Sequence, residues 1–143
     1  MPNRKKIKAA DSENNNFAEQ VKKLSEGLYY ISETDAEVKP FIGGKAAAVS
    51  KEEILRLTGS EPDAPVEERN FAEIFARLTR IQDWFGDEEK EIAAKFVRLK
   101  DFLEQNLEDL KVFKIGSIQI KVYFVGLDAE GSLTGIQTEA VET

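Results

Sequence analysis

Carboxylates are the groups through which this chain can do chemistry. Its 143 residues hold 27 acids but no histidine and no cysteine, so the common general bases near neutral pH and the usual soft metal ligands are missing. Histidine-based triads and zinc sites in their familiar forms are excluded. Among the acids, Asp83 comes closest to a cluster: the stretch Arg80 to Lys90 reads RIQDWFGDEEK and sets it ahead of Asp87, Glu88 and Glu89. Asp83 with Asp87 or Glu88 has the composition to bind a hard cation or to divide acid and base roles. The spacing matches no EF-hand loop, however, and an acidic first turn stabilises a helix N-terminus through the dipole without any ligand. The same stretch carries the only tryptophan, Trp84. Spacing alone leaves Gln82-Asp83-Trp84 open between two readings: Trp84 and Phe85 close a core beneath the following helix, or the loop offers an aromatic anchor and a charge to another protein.

Phosphate chemistry finds no support. Gly43-Gly44-Lys45 is not embedded in a G-x-x-x-x-G-K-[ST] pattern, and Gly116, Gly126, Gly131 and Gly135 sit where hairpins need turns or bends. Tyr29 and Tyr30 read as sheet or core residues, because aromatics that stack on bases normally sit on a basic surface. The charge balance argues the same way. The formal net charge is -7, yet Arg4, Lys5, Lys6 and Lys8 are all in the first ten residues; taking those four from 20 basic residues leaves 16 against 27 acidic ones, or -11. Such a body repels phosphate backbones and attracts a basic partner.

The elements that must position these residues follow from periodicity. Residues 1–15 are polar, with an Asn14-Asn15-Asn16 tract, and read as a disordered basic tail. Residues 16–143 form one domain of a size to bury a single core. Asn16 is expected to cap a helix bearing Phe17, Val21, Leu24 and Leu28, with Gly27 as the stop. Val38 to Ile42 is a short strand that Pro40 places at a sheet edge. Ser50 with Glu53 forms a capping box before Ile54, Leu55 and Leu57, and Gly59 ends that helix. Val66 to Arg69 reads as strand, and Asn70 caps a helix over Phe71 to Leu78. The spacing Ile92, Phe96, Leu99, Leu103, Leu107 marks the longest helix, starting at Asp87. The period then changes: Val112 to Ile115, a Gly116-Ser117 turn, and alternation at Ile118, Ile120, Val122 and Phe124 give a hairpin, followed by a last strand over Leu133 to Thr143. Three consecutive strands after helices predict a mainly antiparallel sheet with helices laid on it, an α+β or layered αβα domain. No apolar run approaches the roughly 20 residues that span a bilayer. The basic opening leads into AADSENNN rather than an apolar segment, so no signal peptide is expected and the cytoplasm is the default compartment.

Three stretches, taken in order, resemble the nuclease A inhibitor family: Gly27-Leu28 running into Ser32-Glu33; Gln82-Asp83-Trp84 followed by the acidic helix start and Ala94-Lys95-Phe96; and the end from Val122-Tyr123 through Gly135-Ile136 to Val141-Glu142-Thr143. The resemblance covers residues 16–143. It implies an αβα sandwich, without catalysis or cofactor of its own, that blocks the active site of a sugar-nonspecific, metal-dependent DNA/RNA endonuclease and is monomeric when free. The partner-binding residues it implies are Glu33, Asp83, Trp84 and Thr143, with Gln82 as their neighbour. Glu33 would pair with a catalytic arginine of the enzyme. Thr143, with a hydroxyl and its α-carboxylate, would approach the enzyme's metal, since Mg²⁺ prefers hard oxygen ligands. No metal is bound by the inhibitor itself. Two other classes compete: an acidic adaptor domain with a non-nuclease partner, and a carboxylate enzyme whose acids around Asp83 line a closed pocket.

Overall fold

The structure is a computed structural model and describes residues 16–143. The basic tail therefore lies outside the described residues. Helix α1 covers residues 16–24, so Asn16 is already helical rather than a cap. Gly27, at φ 76°, reverses the chain after it, and Leu28 is buried just beyond the helix instead of on its face. The remaining helices start where short-range chemistry predicts. In α2 (Lys51–Thr58) Ser50 Oγ accepts from Glu53 N, and Gly59 at φ 68° closes the C-terminus. In α3 (Phe71–Thr79) Asn70 Oδ1 accepts from Glu73 N at 3.0 Å. Helix α4 (Asp87–Asn106) begins at an extended Gly86 whose N–H donates to Glu89 Oε2 at 3.0 Å. Each such cap satisfies a backbone donor that the helix leaves orphaned.

Five strands form an antiparallel sheet in the order β3 (Lys39–Lys45), β7 (Ser132–Val141), β6 (Gln119–Leu127), β5 (Glu108–Ile115), β4 (Val66–Asn70). Pro40 lies on the edge strand β3, where a missing N–H is tolerated. The central strand β6 is buried on both sides and its side chains alternate between two cores. Ile120, Val122 and Phe124 face α1, α3 and α4 through Val21, Phe75, Phe96, Leu99 and Leu103. Tyr123 and Val125 face α2 through Val49, Ile54 and Leu55. The architecture is thus the expected αβα sandwich, with the larger helical layer on one face and α2 on the other. Gly135 is not a bend but the middle of β7, opposite Val125. A Cβ there would lie 1.9 Å from the Phe124 carbonyl oxygen, so the strands can pack only around glycine.

Several boundaries depart from expectation, and all of them bear on the surface. Ile118 is not a core strand residue: it falls in the turn before β6 and is 56% exposed. Strand β5 starts at Glu108, ahead of Val112, with an irregular register between Glu108 and Lys111 where Asp109 adopts φ 57°. Residues 87–92 of α4 are exposed apart from half-buried Glu89, so the burial stripe begins at Ala93 and the helix start projects past the core. A two-stranded ribbon of β1 (Tyr29–Ile31) and β2 (Asp35–Glu37) was not expected. It docks where Thr138 Oγ1 reaches the Glu37 carbonyl at 3.0 Å and Tyr30 meets Phe124 edge-on at 6.3 Å.

Candidate functional site

The β1–β2 ribbon folds back through Ser32-Glu33-Thr34, and that turn lies along the exit of β7. Glu33 N donates to the Val141 carbonyl at 3.2 Å, and Val141 N donates to Ser32 Oγ at 3.0 Å. β7 ends there, two residues earlier than expected: the Glu142 amide still bonds opposite it in the β6–β7 register, and the Thr143 amide leaves that register for a side chain. Glu142 N donates to the Ile118 carbonyl at 3.0 Å, and Thr143 N donates to Glu33 Oε2. Thr143 Oγ1 completes the contact, donating to Glu33 Oε1 at 2.7 Å. Both carboxylate oxygens of Glu33 therefore accept from a single residue. The Thr143 hydroxyl first, and its backbone N–H second, hold the Glu33 carboxyl below its usual range, because both bonds favour the charged form. The pair is on the surface, so these oxygens remain within reach of an incoming group.

Gln82, Asp83 and Trp84 lie in the connection between α3 and α4. Phe85 N donates to the Gln82 carbonyl at 3.0 Å, which closes a tight turn with Asp83 and Trp84 at its corner. The question left by spacing is decided here: Trp84 is 73% exposed and does not close the core. Its ring leans edge-to-face on half-buried Phe85, centroids 4.6 Å apart, which props it outward. Neighbouring Ile81 is 60% exposed. Among the described residues the Asp83 carboxylate makes no hydrogen bond or ion pair. Asp83, Asp87 and Glu88 are all exposed, on an open turn and helix start rather than in the closed surroundings that a carboxylate enzyme at these positions predicts.

The two parts are linked by α3. Arg77 and Leu78 line one wall of an open groove of about 520 Å³, while Ser32, Glu33 and Glu142 line the other. The Gln82-Asp83-Trp84 turn follows directly from that helix. Arg69 and Lys114 also line it, so the groove mixes three cations with Glu33 and Glu142. Lys114 Nζ donates to Glu142 Oε1 at 2.6 Å, and Arg69 pairs with Glu67 at 2.7 Å. Sequence reasoning passed over Lys114, the Ser32 hydroxyl, and the exposed isoleucines Ile31 (73%) and Ile118 (56%) near the Glu33–Thr143 contact. Ile118 belongs to an alternating run and so reads as a strand residue, while Ile31 lies in a strand of three residues, too short to show a period.

Comparison with known proteins agrees with this geometry at the level of family. None of the curated proteins compared with it matches. The family described as nuclease A inhibitor-like protein matches over residues 15–143, a span that includes the ribbon carrying Glu33, the Asp83–Trp84 turn and the exit of β7. The chain therefore belongs to the nuclease A inhibitor-like protein family.

Proposed function

We propose that the protein is a stoichiometric inhibitor of a sugar-nonspecific, Mg²⁺-dependent DNA/RNA endonuclease, acting as a cytoplasmic monomer through residues 16–143. The observation that carries this reading is the meeting of Glu33 and Thr143, 110 positions apart in sequence, on an exposed surface. A carboxylate and a hydroxyl held together offer hard oxygens where a nuclease expects a phosphate. On binding, Glu33 would accept from a guanidinium of the enzyme through the lone pairs that the Thr143 donors leave free, a charge-assisted and geometrically selective contact once water is excluded. Thr143 Oγ, which donates to Glu33 and keeps its own lone pairs, would face the enzyme's metal or a water on it. Trp84 suits the role of aromatic anchor, with Asp83 supplying a second charge and Ile31 an apolar contact beside Glu33. Nucleic acid itself is not a ligand in this reading, since the -11 body opposes it.

The test is titration of a Mg²⁺-dependent nonspecific endonuclease with this protein while nucleolysis is followed. Inhibition that reaches completion near one equivalent is expected, and undiminished nucleolysis at a large molar excess would sink the idea for that enzyme. Asp83→Ala is expected to weaken inhibition by about 2 kcal/mol or more, as loss of an interface hot spot does.

A further inference from the structure

Residues 141–143, which are the last residue of β7 and the two after it, are held by partners from two other parts of the fold. The amides of Val141, Glu142 and Thr143 go in turn to Ser32 Oγ, the Ile118 carbonyl and Glu33 Oε2, which belong to two different turns of the chain. The Val141 carbonyl accepts from Glu33 N at 3.2 Å, and the Glu142 carboxylate is gripped by Lys114 Nζ at 2.6 Å. Every backbone donor of the segment is thus satisfied from outside it. The Lys114 side chain is only 11% exposed, so its ammonium is presented from the sheet rather than swinging free.

We propose that Ser32 and Lys114 are positioning residues of the inhibitory site, which clamp residues 141–143 in the free protein so that Glu33 and Thr143 meet a partner as one preordered unit. The proposal rests on the inhibitor reading for its consequence but not for its geometry. Ser32 fixes the start of the segment and Lys114 fixes Glu142, one residue from Thr143, so neither needs to touch the enzyme. Holding the segment beforehand removes the ordering entropy that a loose end loses on binding. Glu67, opposite Lys114 in the β4–β5 register, also feels its charge.

The experiment has two arms. In the first, NMR-detected amide exchange of the free protein reads residues 141–143 with no nuclease present. Protection at Glu142 and Thr143 is expected in the wild-type protein, and a loss of about tenfold in Ser32→Ala with Lys114→Met, the range of one or two hydrogen bonds. Exchange at the rate of an unstructured peptide in the wild-type protein would overturn the clamp. In the second arm the same variants are titrated against the nuclease. Inhibition should weaken by about three- to tenfold, recover with Lys114→Arg, and show little further loss when Thr143→Ala is already present. A loss that adds in full to that of Thr143→Ala means the two residues act elsewhere, and an unchanged titration means that they do not position the site; either result overturns the proposal. If the double variant does not fold, the two single substitutions carry both arms. Failure of the wild-type protein to inhibit the nuclease removes the proposed function, while the exchange arm still decides whether the segment is clamped.

Discussion

The Glu33–Thr143 contact has a built-in dependence on protonation. With its folded-state pKa lowered from the ordinary 4.5, Glu33 strengthens the contact above that ordinary value, and the contribution is lost as pH falls through the lowered pKa. A protonated carboxyl also presents one fewer acceptor to the two Thr143 donors. The Thr143 amide shift is therefore expected to titrate with a midpoint below 4.5, and to lose that transition in Glu33→Gln. A midpoint at or above the ordinary value would contradict the bonding described. Trp84 calls for a different measurement, because it is 73% exposed and rests on Phe85 rather than in the core. Trp84→Ala should change unfolding free energy by no more than about 0.5 kcal/mol, yet weaken inhibition by about 2 kcal/mol. Urea denaturation beside the inhibition titration separates the two effects, and a large stability loss would show that the ring has a structural role.

Elements were legible wherever their causes are local. Ser50 and Asn70 identify helix starts because a side-chain oxygen three residues before a free N–H caps it regardless of the rest of the fold. Strand β6 was visible through alternation and β7 as the strand that follows it, and Pro40 identified an edge before any sheet was known. What escaped was the β1–β2 ribbon, three residues a side, too short to show a period and carrying exposed Tyr29 and Ile31 where a strand pattern expects burial on one face. The role of Gly135 escaped for a related reason: its sequence neighbours suggest a bend, while its constraint comes from Phe124 on the adjacent strand. Gly135→Ala is expected to destabilise the sheet by about 3 kcal/mol, the scale of overpacking in a closed core. A denaturation midpoint equal to that of the parent would mean that β6 and β7 can move apart.

At the scale of the whole molecule, charge and layering act together. The acidic body should speed encounter with a basic active-site cleft, and the effect is screened by salt. Stopped-flow association is expected to slow by about tenfold or more between low and high ionic strength, with the dissociation rate changing far less. A salt-independent association rate would assign no steering to the net charge. The sequence by itself determined the helices, the caps at Ser50 and Asn70, the alternation of β6 and hence a layered α+β fold, because those depend on neighbours within a few residues and on a pattern of burial that repeats. It also left its family resemblance in three separated stretches. Only the tertiary structure decided that Glu33 and Thr143 touch, that Ser32, Ile118 and Lys114 receive the segment leading to Thr143, and that Trp84 faces water. Those contacts join residues up to 110 positions apart, and they exist because the ribbon, the β5–β6 turn and the exit of β7 converge at one end of the sheet. No local period or composition encodes that convergence; the order of strands does.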